Sequence, residues 1–183
     1  MISISRVQLG QEVENEVIEV LRSGMIAQGP KVRELEAAFE EYLGVKHVVA
    51  VNNGTTALIA ALKVLHLPEG SEVITSPYTF VATLNAILEV GLRPRFADID
   101  PQTFNVTEES VKTLISEKTS AVLPVHLYGQ CADIEAISNL CTAKNLSLVE
   151  DAAQAHGARF NSKSAGSYGV GCFSLYATKN ITT

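Results

Sequence analysis

Cysteine is scarce in this chain. Cys131, Cys141 and Cys172 are its three cysteines, an odd number, and no two stand in a C-x-x-C spacing. That argues against a disulfide framework or a zinc ribbon and fits a reducing, cytosolic compartment, with all three as buried free thiols. Positive charge is also short. Fourteen Lys and Arg against 20 Asp and Glu leave a net charge of −6. A chain of that balance carries no electrostatic footprint for nucleic acid or an anionic membrane, although a local basic pocket for a small anion is still allowed. No apolar run approaches the ~18 residues needed to span a bilayer. The opening Met-Ile-Ser-Ile-Ser-Arg lacks the basic start and long apolar stretch of a secretory signal.

Charged residues make up 19% and apolar residues 46%, with a mean hydropathy of +0.17. This composition excludes intrinsic disorder and predicts a well-buried core. The 183 residues suit one domain, or one domain with a fragment of another. No repeat, low-complexity tract or composition shift marks a linker.

Two amphipathic stretches open the chain. Residues 10–22 place Val13, Val17, Val20 and Leu21 on one helical face, and residues 31–43 do the same with Val32, Leu35, Phe39 and Leu43. The loop SGMIAQGP separates them, and Gly44 supplies a helix stop. A helical segment over residues 1–44 and a larger domain over 45–183 follow from this change of pattern. Beyond it, short apolar runs appear at 47–51, 73–76, 95–99, 121–127, 146–149 and 172–176. Helix-period segments near 55–66, 79–90, 107–116 and 133–144 separate most of them. Strands apolar on both faces and joined by helices predict an α/β fold: a mostly parallel sheet with helices on both faces. In such sheets ligands gather at the carboxyl ends of the strands.

Three strand exits carry chemistry. In VVAVNNGTTAL, a strand running into Asn52-Asn53-Gly54-Thr55-Thr56 and then a helix offers free N–H groups to an anion. Gly54 permits close approach, and the hydroxyls of Thr55 and Thr56 can add bonds. Plain N-capping by threonine explains the same residues. The segment is neither G-x-G-x-x-G nor a Walker A loop, so it implies neither NAD nor ATP. In LSLVEDAAQAHGA, Asp151 lies just past an apolar strand and Gln154 shares its face if the chain turns helically. A half-buried acid there needs a cationic or N–H partner, unless it simply caps a helix. His156 reads as a packed or capping residue, with no second ligand beside it for a metal. In CFSLYATKN, Lys179 follows a strand that includes Ser174. Lysine is rarely buried without a task, and in a desolvated pocket its lowered pKa lets it attack a carbonyl; an exposed turn lysine is the plain alternative.

Together these exits suit pyridoxal phosphate (PLP). That cofactor needs an anion cradle, a carboxylate at the pyridine nitrogen and a lysine for its aldehyde. Gly54-Thr55-Thr56, Asp151 and Lys179 supply them in chain order. Phe80, at another exit in SPYTFVATLNAI, is the candidate to cover the ring face, with core packing as its ordinary reading.

The segments SGMIAQGPKVRELE, VNNGTTAL, VITSPYTFVATLNAI, FADIDPQTFNV, PVHLYGQCADI, VEDAAQAHGA and FSLYATKN run in order almost end to end. In them the chain resembles the nucleotide-sugar aminotransferases of the DegT/DnrJ/EryC1/StrS family, within the aspartate-aminotransferase-like PLP superfamily. The resemblance implies a fold type I large domain. It implies Lys179 as the lysine that captures the cofactor and shuttles the proton, and Asp151 as partner of the pyridinium nitrogen. It further implies Gln154 on the ring hydroxyl, Phe80 stacked on the ring, and Gly54, Thr55, Thr56 and Ser174 on the phosphate. The activity implied is transfer of an amino group, usually from glutamate, through PLP or its amine form PMP, to a keto sugar linked to a nucleotide. Such transfers serve amino-sugar, surface-polysaccharide or antibiotic-sugar biosynthesis, in homodimers whose sites lie at the interface. Relatives with His at the position of Lys179 act as sugar dehydratases, an alternative that the lysine here disfavours. The chain stops four residues after Lys179. Family members continue with a glycine-rich strand and a C-terminal small domain. The resemblance thus predicts a fragment or truncated chain, and a truncated PLP-fold protein that binds cofactor or a partner without turnover is the other reading.

Overall fold

Two amphipathic helices open the chain in a computed structural model that describes residues 6–182. Helix α1 (Gln11–Ser23) and helix α2 (Pro30–Leu43) each end on a glycine in the left-handed region, Gly24 at φ 73° and Gly44 at φ 67°. Glycine takes that conformation without the Cβ penalty other residues incur. The chain divides into two compact units, one ending at Ala50 and the other running from Val51. Residues 1–5 and Thr183, the outer ends of the two predicted domains, lie outside the described residues.

The predicted strand at 47–51 does not form. Val48 N–H donates to Glu40 Oε1 at 3.2 Å and Ala50 N–H to Glu36 Oε1 at 2.8 Å. An extended, apolar-rich segment becomes a strand only when a neighbour takes up its backbone groups. Here glutamates of α2 take up two of them instead, and Val49 is left 76% exposed.

In the larger unit, α3 (Gly54–Val64), β1 (Glu72–Thr75), α4 (Ala82–Glu89), β2 (Arg93–Phe96), α5 (Glu108–Lys112), β3 (Thr119–Leu123), α6 (Ile134–Lys144) and β4 (Ser147–Asp151) follow in turn. A short antiparallel hairpin, β5 (Arg159–Phe160) and β6 (Lys163–Ser164), precedes β7 (Val170–Cys172). The sheet order is β2-β1-β3-β4-β7, with every pairing parallel. Successive strand residues point to opposite faces. Val73, Ala121, Leu123 and Val149 therefore pack with Leu58, Leu62, Ala86 and Ile87 of α3 and α4. Their neighbours Ile74, Val122 and Leu148 pack with Val111, Ile134 and Ile137 of α5 and α6. Two separate cores on one sheet are the predicted parallel α/β arrangement.

Three local expectations shift. The last strand ends at Cys172, so Ser174 lies beyond it rather than within it. The hairpin at 159–164 is too short to leave an alternating pattern in sequence. Cys131 is half-buried, whereas Cys141 and Cys172 are fully buried. Burial raises the thiols of Cys141 to about 11 and of Cys172 to about 12, which keeps both protonated at neutral pH.

Candidate active site

Asp151 closes β4 at the carboxyl edge of the sheet and is only 5% exposed. Its Oδ1 accepts from Ala153 N–H at 3.2 Å and its Oδ2 from Thr83 Oγ1 at 2.7 Å. Thr83 has one hydroxyl proton and gives it to the carboxylate. The 2.8 Å contact between Thr79 and Thr83 hydroxyls must then be donated by Thr79. Burial pushes the Asp151 carboxyl above its usual range, against the opposing pull of Thr83, the Ala153 N–H and the Lys179 charge. An acid held this way favours an N–H or cationic group brought against it. Thr83 was not anticipated from sequence; its signal was a threonine in the otherwise apolar face of α4.

Gln154 lies three residues on. Its Oε1 accepts from Tyr128 N–H at 2.9 Å. That orients the amide and leaves its nitrogen without a protein partner among the described residues. Tyr128 belongs to an aromatic group at this edge: Tyr78, Phe104 and Tyr128 have ring centroids 5.8–6.4 Å apart. Phe104 (φ 59°) and Tyr128 (φ 56°) both sit in the left-handed region, a conformation costly for bulky residues and concentrated at functional edges.

At the first exit, the helix cap is Asn53, whose Oδ1 accepts from Thr56 N–H at 2.9 Å. Neither threonine caps α3, so both hydroxyls remain available. Gly54 lies against the chain after β7. A Cβ built on it would stand 2.9 Å from Ser174 Cβ and 3.4 Å from Phe173 O. The structure thus brings Gly54 together with Ser174, two residues distant in sequence, and the contact leaves no room for a side chain. Phe80 stands in the turn before α4 and is 69% exposed.

Lys179 is half-buried in a turn, with its N–H donating to Tyr176 O at 2.7 Å. Its charge acts on Asp151 and on His156. His156 packs on Phe173 with ring centroids 5.4 Å apart, beside the Ser174 backbone. Burial, then the nearby lysine, lowers its pKa.

Behind Asp151 lies a pair that sequence reasoning missed. His126 and Glu150 are both fully buried, with Nε2 and Oε2 2.9 Å apart. Burial opposes the Glu150 charge. The His126 bond and the N–H groups of Gly169 and Gly166 outweigh it and hold the carboxyl below its usual range. The available signal was two adjacent acids closing an apolar strand, which alternation sends to opposite faces.

Removing the Thr83 hydroxyl tests the Asp151 support. Thr83→Val is expected to cost about 1.5–3 kcal/mol at neutral pH, the worth of a hydrogen bond to a charged group. Urea unfolding reads this directly, and an unchanged midpoint would show that the bond contributes nothing.

The fit to PLP rests on four features of this structure: a helix start closed against Ser174, a buried acid with a raised pKa, an amide nitrogen left free among the described residues, and a half-buried lysine. A parallel α/β sheet with these groups near its carboxyl edge presents the donor set that PLP requires.

Comparison with known proteins gives the family. The model for the DegT/DnrJ/EryC1/StrS aminotransferase family matches residues 7–183, and the chain belongs to that family. The spore coat polysaccharide biosynthesis protein SpsC of Bacillus subtilis is 43% identical over 176 residues, covering 96% of this chain and 45% of SpsC. GDP-perosamine synthase of Caulobacter vibrioides is 40% identical over 184 residues, covering 100% of this chain and 50% of that protein. Among solved structures, an aminotransferase from Psychrobacter cryohalolentis superposes with a TM-score of 0.94 at 36% identity, over 98% of this chain and 47% of its own. NtdA from Bacillus subtilis, with PMP bound, gives a TM-score of 0.87 at 33% identity, over 99% of this chain and 43% of its own. The chain spans about half the length of these relatives.

Proposed function

We propose that this chain is the cofactor-binding part of a PLP-dependent sugar aminotransferase. The enzyme moves an amino group, from glutamate, to a keto group on a nucleotide-linked sugar for amino-sugar or surface-polysaccharide synthesis. When bound, PLP supplies an aldehyde that condenses with amines and a pyridinium ring that acts as an electron sink. Every other role falls to the chain. Lys179 Nζ would hold the cofactor through its aldehyde, and the same amine, when free, would serve as the acid–base group that moves the proton. Asp151, held by Thr83 and Ala153, would face the pyridine nitrogen, and an N–H there would favour its charged form and keep that nitrogen protonated. Gln154, its oxygen occupied by Tyr128 N–H, would donate through Nε2 to the ring oxygen. Phe80, exposed in the turn before α4, would cover one ring face. Free N–H groups at Gly54 and Thr55, the hydroxyls of Thr55 and Thr56, and Ser174 bind the phosphate.

The observation that carries this reading is the contact of Gly54 with Ser174, which joins the first exit to the chain segment leading to Lys179. Homodimerisation and a cytosolic location belong to the same proposal. They are supported by the family and by a cysteine content suited to reducing conditions. No helix among the described residues is long and apolar enough to cross a membrane.

Incubation of the intact protein with PLP and glutamate should release 2-oxoglutarate, and adding a nucleotide-linked keto sugar should yield its amine. Absence of both would defeat the proposal. Gly54→Ala isolates the cradle. Its Cβ would push α3 off Ser174, an overpacking cost of about 1–3 kcal/mol. The cofactor dissociation constant should rise about tenfold or more for that cost. Unaltered cofactor affinity in Gly54→Ala would remove the phosphate assignment.

A further inference from the structure

Glu150 precedes Asp151 on β4 and faces the other way. Its carboxylate receives four donors. Oε2 accepts from His126 Nε2 at 2.9 Å and Gly166 N–H at 2.8 Å. Oε1 accepts from Tyr168 N–H and Gly169 N–H, each at 2.7 Å. His126 Nδ1 in turn accepts from Ala132 N–H at 3.1 Å. That bond leaves the ring proton on Nε2, directed at the glutamate. A buried ion of this kind adds little net stability over an apolar replacement, so its use lies in what it orders.

What it orders is the turn entering β7. That strand pairs with β4 at only three positions, Val149 with Val170, Glu150 with Gly171 and Asp151 with Cys172. It is three residues long with Gly171 at its centre and Gly169 just before it, and glycine-rich strands specify their register weakly. A slip by one residue would move the following chain by about 3.3 Å. The turn lies close on its neighbours: a Cβ on Gly169 would collide with Leu148 O and one on Gly171 with Gly166 O. Ser174 and Lys179 follow directly.

We propose that Glu150, oriented by His126, is the positioning residue that sets the register of β7 on β4 and so places Ser174 and Lys179 opposite Asp151. The roles of Ser174 and Lys179 in this statement rest on the function proposed above. The register itself does not.

The test uses the intact protein with Glu150→Gln, which turns one acceptor oxygen into a donor facing two donors. Ile137→Ala, in the α6 core, is the comparison at equal loss of melting temperature. In cofactor-free Glu150→Gln, amide exchange at Gly166, Tyr168, Gly169 and residues 172–174 should accelerate on the order of 100-fold over Ile137→Ala, with the rest of the sheet alike. PLP affinity should fall at least about tenfold in Glu150→Gln and stay near wild type in Ile137→Ala. Equal exchange patterns and equal PLP affinities in the two variants would overturn the proposal. If Glu150→Gln fails to fold, His126→Gln decides. The same local acceleration, smaller in size, supports the register role, and wild-type exchange overturns it. Local acceleration in a protein that never attaches PLP to Lys179 would uphold the register role and defeat the functional reading instead.

Discussion

Lys179→Ala is expected to abolish covalent capture of the cofactor. Borohydride reduction of the wild-type protein with PLP should leave a mass adduct on the peptide containing Lys179. The alanine variant should show none and should lose turnover by the 10²–10⁴-fold typical of a missing acid–base group, or more, since capture is lost as well. Alanine at this position is tolerated structurally. Lys179 is half-buried, its side chain makes no hydrogen bond or ion pair among the described residues, and its own N–H bond to Tyr176 O uses only backbone. A melting temperature near wild type with complete loss of the adduct is therefore the expected pair of results. An adduct that survives on another lysine would remove the assignment.

Asp151→Asn is expected to separate stability from function. The folded-state pKa of Asp151 is raised, with burial as the first cause. The folded state therefore holds this proton more tightly than the unfolded chain does. Stability is greatest below the unfolded value of about 3.9 and falls as pH rises through the interval up to the folded value. Above that interval the cofactor-free protein carries the full cost of a buried charge. Asparagine removes the cost and can still bond both Thr83 and Ala153. Cofactor-free Asp151→Asn should then be as stable as wild type or up to about 1–2 kcal/mol more stable at neutral pH, with the difference vanishing in acid. Turnover should drop by three orders of magnitude or more, on the scale seen when an essential electrostatic partner is neutralised. Parallel urea titrations at acid and neutral pH, with single-turnover rates, check both halves. A destabilised variant at neutral pH would contradict the cost of the buried charge, and undiminished rates would contradict the electron-sink role.

Much of the fold could be read from the chain. Alternating strand and helix patterns after Gly44 imply a parallel sheet covered on both faces, because a strand buried on both sides is apolar at consecutive positions. Val73-Ile74 and Val122-Leu123 show this, each pair split between the two cores. The segment 47–51 has the same local look and forms no strand, since strand formation depends on a partner that local pattern does not contain. The site divides in the same way. Asp151, Gln154, Gly54 and Lys179 stood out as candidates because each lies at or soon after the end of an apolar run, in a residue with special chemistry. Thr83, Tyr128, His126 and Glu150 were not, because each acts through a partner 24 to 68 residues away.

From sequence alone come the two-sided parallel sheet, the three ends of apolar runs that carry polar chemistry, two of them following strands in the structure, and the family to which the chain belongs. Those properties are local periodicity and local residue type, which the chain carries whatever it folds against. Only the tertiary structure decides that Gly54 meets Ser174, that Thr83 rather than a basic residue donates to Asp151, and that Glu150 binds the turn into β7. Each of these is a close contact between segments far apart in the chain, and such contacts exist only once the sheet has brought its carboxyl edge together.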